Sequence, residues 1–218
     1  MHLSECPNRE GMQPMGDNAV FIHYSSEKPL NGEIIRGKAG EFITAKVFCS
    51  EINCFKRGDP VVIGHLDSTE TAGVKCFGGN IVDAYKSQSM ILISPDKVYH
   101  DVERRQYTRH KVSLAGYIRS NVNKNEAIWV KDISYAGLGI YSEVDMDVNT
   151  MVTIDLFMGG VMFTIEGMII RKATAYGRKE YGIQLLHRDK QSIYYTQDLI
   201  NNYLEKEINE LKRSLGAY

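Results

Sequence analysis

The nine residues Glu103-Arg104-Arg105-Gln106-Tyr107-Thr108-Arg109-His110-Lys111 hold five cations or near-cations, counting His110, against one acid. Nothing else in this near-neutral chain is so one-sided. Within the stretch Arg105 and Arg109 form R-x-x-x-R, and downstream Asp132, Ser134 and Gly137 form D-x-S-x-x-G. An arginine fork pairs bidentately with phosphate, stacks on a base face, and matches the O6 and N7 acceptors of a guanine. In an extended segment, residues four apart point the same way at about 13 Å, so a segment that wraps brings both to one compact ligand. Asp132 can accept from guanine N–H donors, and the Ser134 hydroxyl can donate or accept. Gly137 lets backbone approach closely and permits φ > 0. These residues suit a phosphate or nucleotide site. The plainer alternatives are a solvated basic face and an Asx-turn between two strands.

Other chemistry finds less support. Gly32–Ala39 satisfies G-x-x-x-x-G-K, but a phosphate loop needs Ser or Thr next and then a helix, whereas Ala39, Gly40 and a run of β formers follow. A nucleophilic triad of Ser134, His110 and Asp132 lacks the G-x-S-x-G elbow. The cysteines Cys6, Cys49, Cys54 and Cys76 form no C-x-x-C pair, and the six histidines form no H-E-x-x-H, which argues against a zinc centre or metal catalysis. No enzyme activity and no cofactor are expected.

The 218 residues fit one large or two small domains. A net charge of -1 disfavours a general electrostatic nucleic-acid binder. The N-terminus has no apolar run of the secretory kind, and no stretch approaches the roughly 20 apolar residues that span a bilayer, so a cytoplasmic protein is expected.

The elements that must carry these residues follow from periodicity. Residues 1–17, with Pro7, Gly11, Pro14 and Gly16, read as a mobile tail. Residues 18–100 hold short apolar runs punctuated by turn signals: 18–24, 33–36, 40–48, 61–63, 75–85 and 89–94, with Asn31-Gly32 read as a turn and Gly78-Gly79 as a bulge or bend. Residues 101–111 form the junction. A second β domain over 104–188 begins with alternating Val112, Leu114, Gly116 and Ile118. Strands at 127–131 and 138–141 flank a turn at 132–137. Gly159-Gly160 joins a hairpin of 151–157 and 161–171, and Tyr176-Gly177-Arg178 leads into 180–186. From Asp189 to residue 218 the period changes to that of a helix, with Ile193, Leu199, Ile200, Leu204, Ile208, Leu211 and Leu215 on one face. The expected fold is mostly β: two small antiparallel β-barrels followed by a C-terminal α-helix that lies on its own barrel or pairs with another chain.

Taken as an ordered pair, R-x-x-x-R and D-x-S-x-x-G resemble the ligand signature of the PilZ domain, over roughly residues 103–186. The layout, with a small β domain ahead of the arginines, is similar to YcgR-like flagellar-brake proteins. The resemblance implies a non-enzymatic receptor for the bacterial second messenger cyclic di-GMP, bound through Arg105, Arg109, Asp132, Ser134 and Gly137, with Arg104 and Gly139 as secondary candidates. An arginine in the place of Arg104 tends, in that family, to accompany two bound ligands. The expected mechanism is a switch in which ligand captured by these arginines fixes the angle between the barrels and acts on a protein partner, of the flagellar or polysaccharide-synthesis kind; the long C-terminal helix and the N-terminal tail depart from the family, so partner choice is not carried over from it. A monomer or homodimer, without nucleic acid, is expected. The alternative is a single-stranded nucleic-acid module using Tyr107, Tyr135 and Trp129 as stacking groups.

Overall fold

The structure, a computed structural model, describes residues 17–48, 50–66, 73–95, 107–121 and 124–216. The first six strands are β1 (Asp17–Ile22), β2 (Leu30–Arg36), β3 (Ile43–Val47), β4 (Pro60–Leu66), β5 (Val74–Tyr85) and β6 (Met90–Pro95). They close into an antiparallel barrel in the order β1-β2-β3-β6-β5-β4. Phe21, Ile43, Ile63, Ile81, Ile91 and Ile93 fill its interior.

The next six are β7 (His110–Arg119), β8 (Glu126–Ser134), β9 (Gly137–Ser142), β10 (Met151–Met158), β11 (Val161–Ala175) and β12 (Arg178–Leu186). They close a second barrel in the order β10-β11-β12-β9-β8-β7. Period-two alternation decides which side chains enter. Val112, Leu114 and Ile118 of β7, Phe163, Ile165 and Ile169 of β11, and Tyr181, Ile183 and Leu185 of β12 form the core. Two tight hairpins set the register. Gly159 and Gly160 (φ 58° and 86°) join β10 to β11, and Tyr176 and Gly177 (φ 54° and 81°) join β11 to β12. Two successive positive φ values match the right-handed twist of the flanking strands.

A helix, α1 (Lys190–Leu215), follows. The Asp189 side chain accepts from the Ser192 amide and the Ser192 hydroxyl packs back on Asp189, a reciprocal capping box; Gly216 ends the helix at φ 69°. Its apolar face does not stay on one barrel. Ile200 joins the core of the second barrel. Near the other end, buried Leu211 reaches β4 of the first, with its Cδ2 3.0 Å from where a Cβ on Gly64 would lie. The helix therefore bridges the two barrels.

The barrels also meet directly, around Asp59, which is 0% exposed. Its Oδ1 accepts from Arg178 Nη2 of β12 (2.8 Å) and from the Tyr24 hydroxyl (3.0 Å). Its Oδ2 accepts from the Lys56 amide (2.7 Å) and from His23 Nε2 (3.1 Å). The Arg178 guanidinium lies 4.4 Å from the centroid of the Trp129 ring of β8. Beside this centre the Ser113 hydroxyl of β7 donates to the Pro60 carbonyl (2.7 Å) and accepts from the Tyr24 amide (3.0 Å). The Tyr141 hydroxyl of β9 donates to Asn80 Oδ1 (3.2 Å). Burial by itself would raise the Asp59 pKa. The bonds from His23 and Lys56 and the charges of His23 and Arg178 outweigh it and hold the carboxyl below its ordinary range.

Several sequence expectations change here. Asn31 and Gly32 lie inside β2 rather than in a turn. A Cβ on Gly32 would come 2.1 Å from the Lys46 carbonyl, so this glycine serves close strand packing. Gly78 and Gly79 keep their register in β5, and the irregularity falls at Ile81/Asp83. Asp132, Ile133 and Ser134 belong to β8, and only Tyr135 and Ala136 turn. Trp129 is packed under Arg178 rather than offered as a stacking group. The tail at residues 1–16 lies outside the described residues, as do Arg104 and Arg105.

Removing one partner of a buried ion pair strands the other charge and costs about 3–5 kcal/mol, whereas an exposed pair is worth about 0–1 kcal/mol. Arg178→Ala should therefore lower stability in urea by about 3–5 kcal/mol, and Arg171→Ala, at the half-exposed pair with Glu180, by under about 1 kcal/mol. Because the folded pKa of Asp59 is depressed, its contribution is present above the unfolded value of about 3.9 and fades as pH falls through the lower folded value. The gap between wild type and Arg178→Ala should shrink as the pH falls below the ordinary carboxylate range. Equal losses for the two variants would contradict this account of the interface.

Candidate functional site

One row of paired residues crosses the outer face of the second barrel near its β8–β9 turn. Lys111 of β7 stands opposite Asp132 of β8, Asp132 opposite Gly139 of β9, and Gly139 opposite Gly182 of β12. Their neighbours Ile133, Leu138, Ile140, Tyr181 and Ile183 point into the core, so alternation turns this row outward.

Asp132 is only 5% exposed. A carboxylate so placed needs compensation. Its Oδ1 accepts from Arg109 Nη1 at 3.0 Å, and Lys111 Nζ stands 3.9 Å from Oδ2. Arg109 keeps 29% of its side chain exposed. A guanidinium has five N–H donors, and this contact uses one of them. Asp132 thus aims a cation outward from the start of β7.

The glycines make room for that pair. A Cβ on Gly139 would sit 2.6 Å from Asp132 Oδ2. A Cβ on Gly137 would meet the Ile183 carbonyl at 2.7 Å, with Arg109 Nη2 4.0 Å away. Gly137 is required by this close approach and not by a positive φ. The Ser134 hydroxyl, 4% exposed, accepts from the Gly137 amide (3.1 Å) and donates to the Gly137 carbonyl (3.2 Å). Ser134 closes the turn that sets Gly137 beside Arg109. With Ser134 bound to Gly137 and Asp132 to Arg109, neither is engaged as a member of a hydrolytic triad with His110.

The structure therefore brings Arg109, Asp132, Ser134, Gly137 and Gly139 together at one turn. Arg104 and Arg105 lie outside the described residues. Sequence reading missed Lys111 as a partner of Asp132, Gly182 as the far end of the row, and Glu180, which is held by Lys131 (3.1 Å) and Arg171 (2.6 Å) just beyond it. It also missed His187, whose Nε2 meets the Tyr135 carbonyl at 2.5 Å and fixes the turn from behind. A glycine between Tyr181 and Ile183 in a strand is the signal that could have pointed to Gly182. Among the described residues no group of His, Cys, Asp and Glu is arranged to hold a metal ion, and no helix is long and apolar enough to cross a membrane.

Gly139→Ala tests this geometry. The added methyl should drive the carboxylate off Arg109 and cost about 1–3 kcal/mol in urea unfolding. In an Asp132→Ala background, where the obstructing atoms are gone, the same change should cost less than half as much. An undiminished cost there would place the clash elsewhere.

Residues 103–206 match the family model of the PilZ domain. A search of curated proteins found none that matches. Similar solved structures include Escherichia coli YcgR in complex with cyclic di-GMP, at 14% identity over 92% of this chain and 88% of that one (TM-score 0.45). Another is the Bacillus subtilis inhibitor of motility MotI/DgrA, at 12% identity over 89% and 97% (TM-score 0.40). A third is the K. pneumonia MrkH–cyclic di-GMP complex, at 14% identity over 91% and 90% (TM-score 0.41).

Proposed function

We propose, from the premise that this chain carries a PilZ domain over residues 103–206, that it is a cyclic di-GMP receptor and not an enzyme. The observation that supports it most is Arg109, partly exposed, held by buried Asp132 at the turn of Ser134 and Gly137. A ligand with two phosphates and two guanines offers acceptors for the free edge of that guanidinium. Arg105, four residues earlier, and Arg104 supply the remaining cations from the junction. Asp132 acts first as the group that orients Arg109, with lone pairs left over for a guanine N–H. Arg104 offers an extra guanidinium on which a second, stacked ligand can stack or to which it can bond.

The output is a change in how the two barrels sit against one another, read by a protein partner of the motility or polysaccharide-synthesis class. The reading is supported by position. The arginines immediately precede β7, and β7 carries Ser113, which is bonded to Pro60 and Tyr24 of the first barrel. A ligand shifts such an equilibrium only by its differential affinity for the two arrangements. The buried Asp59–Arg178 contact sets the resistance, and two or three charge-assisted pairs, at roughly 1.5–3 kcal/mol each, are comparable with it.

Calorimetric titration should show cyclic di-GMP binding, with cyclic di-AMP and GTP much weaker. Arg109→Ala and Arg105→Ala should each weaken it by about 10- to 150-fold, from the loss of roughly 1.5–3 kcal/mol. Lysine should rescue poorly for want of the planar fork. Small-angle scattering of the wild type should change on saturation, and the change should vanish in Arg109→Ala. Unchanged affinity in both alanine variants would overturn the site; binding without any change in scattering would overturn the switch alone.

A further inference from the structure

We propose that the rings of Tyr107 and Tyr135 form the stacking surface for a guanine of the ligand, an inference that rests on the cyclic di-GMP reading above. An arginine fork grips a guanine along its edge, in the plane of the base. That leaves the two faces of the base unsupported, and aromatic side chains are the usual support for them. Tyr107 lies two residues before Arg109, and Tyr135 directly follows Ser134 at the tip of the β8–β9 turn. Their ring centroids are 4.4 Å apart with an interplanar angle of 55°. Rings tilted in this way do not cover one another's faces as a parallel stack would. Both residues are half-buried and keep part of their surface open to solvent.

Tyr135 is held in place before any ligand arrives. Its carbonyl accepts from His187 Nε2 at 2.5 Å, and the neighbouring Ala136 carbonyl accepts from the Leu185 amide at 3.0 Å. Its ring packs in part against the core of the second barrel. A rigid aromatic with two χ angles costs little further entropy when a base stacks on it. Its phenol titrates above the ordinary tyrosine value, through desolvation and then through the Tyr107 hydroxyl, so Tyr135 sets no negative charge against the ligand's phosphates near neutral pH. The alternative role for the pair is a staple that pins the junction to the barrel end without touching ligand.

Calorimetry on four variants, with proton NMR of bound cyclic di-GMP, separates the two. Tyr107→Phe and Tyr135→Phe keep the π face and should bind within about twofold of wild type. Tyr107→Leu and Tyr135→Leu keep apolar bulk but lose that face, and should bind about 5- to 150-fold more weakly. The guanine H8 resonance should move upfield on binding wild type, and less in the Leu variants, because ring current requires a ring. Should Tyr135→Leu fail to fold by thermal melting, Tyr107→Leu, which lies ahead of β7, decides the question. Leu variants with wild-type affinity and wild-type H8 shift would overturn the shelf, while loss of binding in Arg109→Ala would leave the receptor reading standing. No binding to wild type would overturn both.

Discussion

A carboxylate with 5% of its surface exposed cannot stand alone, and Asp132 is answered by Arg109 and Lys111. Much of the site follows from that constraint. The cations must come from the first residues of β7 and the segment before it, because Lys111 is the residue paired with Asp132 across the ladder. The facing position on β9 must be glycine, because a methyl there would overlap the carboxylate. The turn after β8 must be tight, and Ser134 ties both backbone groups of Gly137 to make it so. Arg109 is left at the surface with its orientation set and most of its donors unspent.

The same barrel wall also meets a second charged centre, farther along its strands. Asp59 of the first barrel is enclosed by Arg178, Tyr24, His23 and the Lys56 amide. Here every acceptor is engaged inside the protein and the carboxyl is fully buried, which suits a structural contact. At Asp132 the cation remains accessible, which suits a ligand. β7 links the two, with Lys111 in one centre and Ser113 beside the other. The segment that carries Arg109 thus leads, within four residues, to the inter-barrel bonds, and α1 is anchored on both barrels, by Ile200 on the second and Leu211 on the first.

What could be read in the sequence was what depends on local spacing. Val112, Leu114 and Ile118 announce a half-buried strand, Gly159-Gly160 a hairpin, and Asp189 the start of a helix, and each stands where its period put it. That the candidate site's Asp132, Ser134, Gly137 and Gly139 lie together was legible for the same reason: they fall within one turn and its flanking strands. The inter-barrel centre was not. Asp59 and Arg178 each look like ordinary turn residues, beside Gly58 and Gly177, and nothing local to either reveals the other. Gly32 and Gly79 misled in the opposite sense. A glycine marks a turn or a close approach with equal force, and only the neighbouring strand, Lys46 in one case and Ile93 in the other, distinguishes them. The helix face was legible, but a repeating apolar stripe does not say how many bodies it covers.

The central claim is that Asp132 serves the ligand by positioning Arg109. An affinity cycle over wild type, Arg109→Ala, Asp132→Ala and the double variant, titrated with cyclic di-GMP, tests it directly. If Asp132 acts through Arg109, its removal weakens binding when Arg109 is present and adds little once Arg109 is gone. Fully additive losses would show that the two residues bind the ligand independently, and would contradict the account.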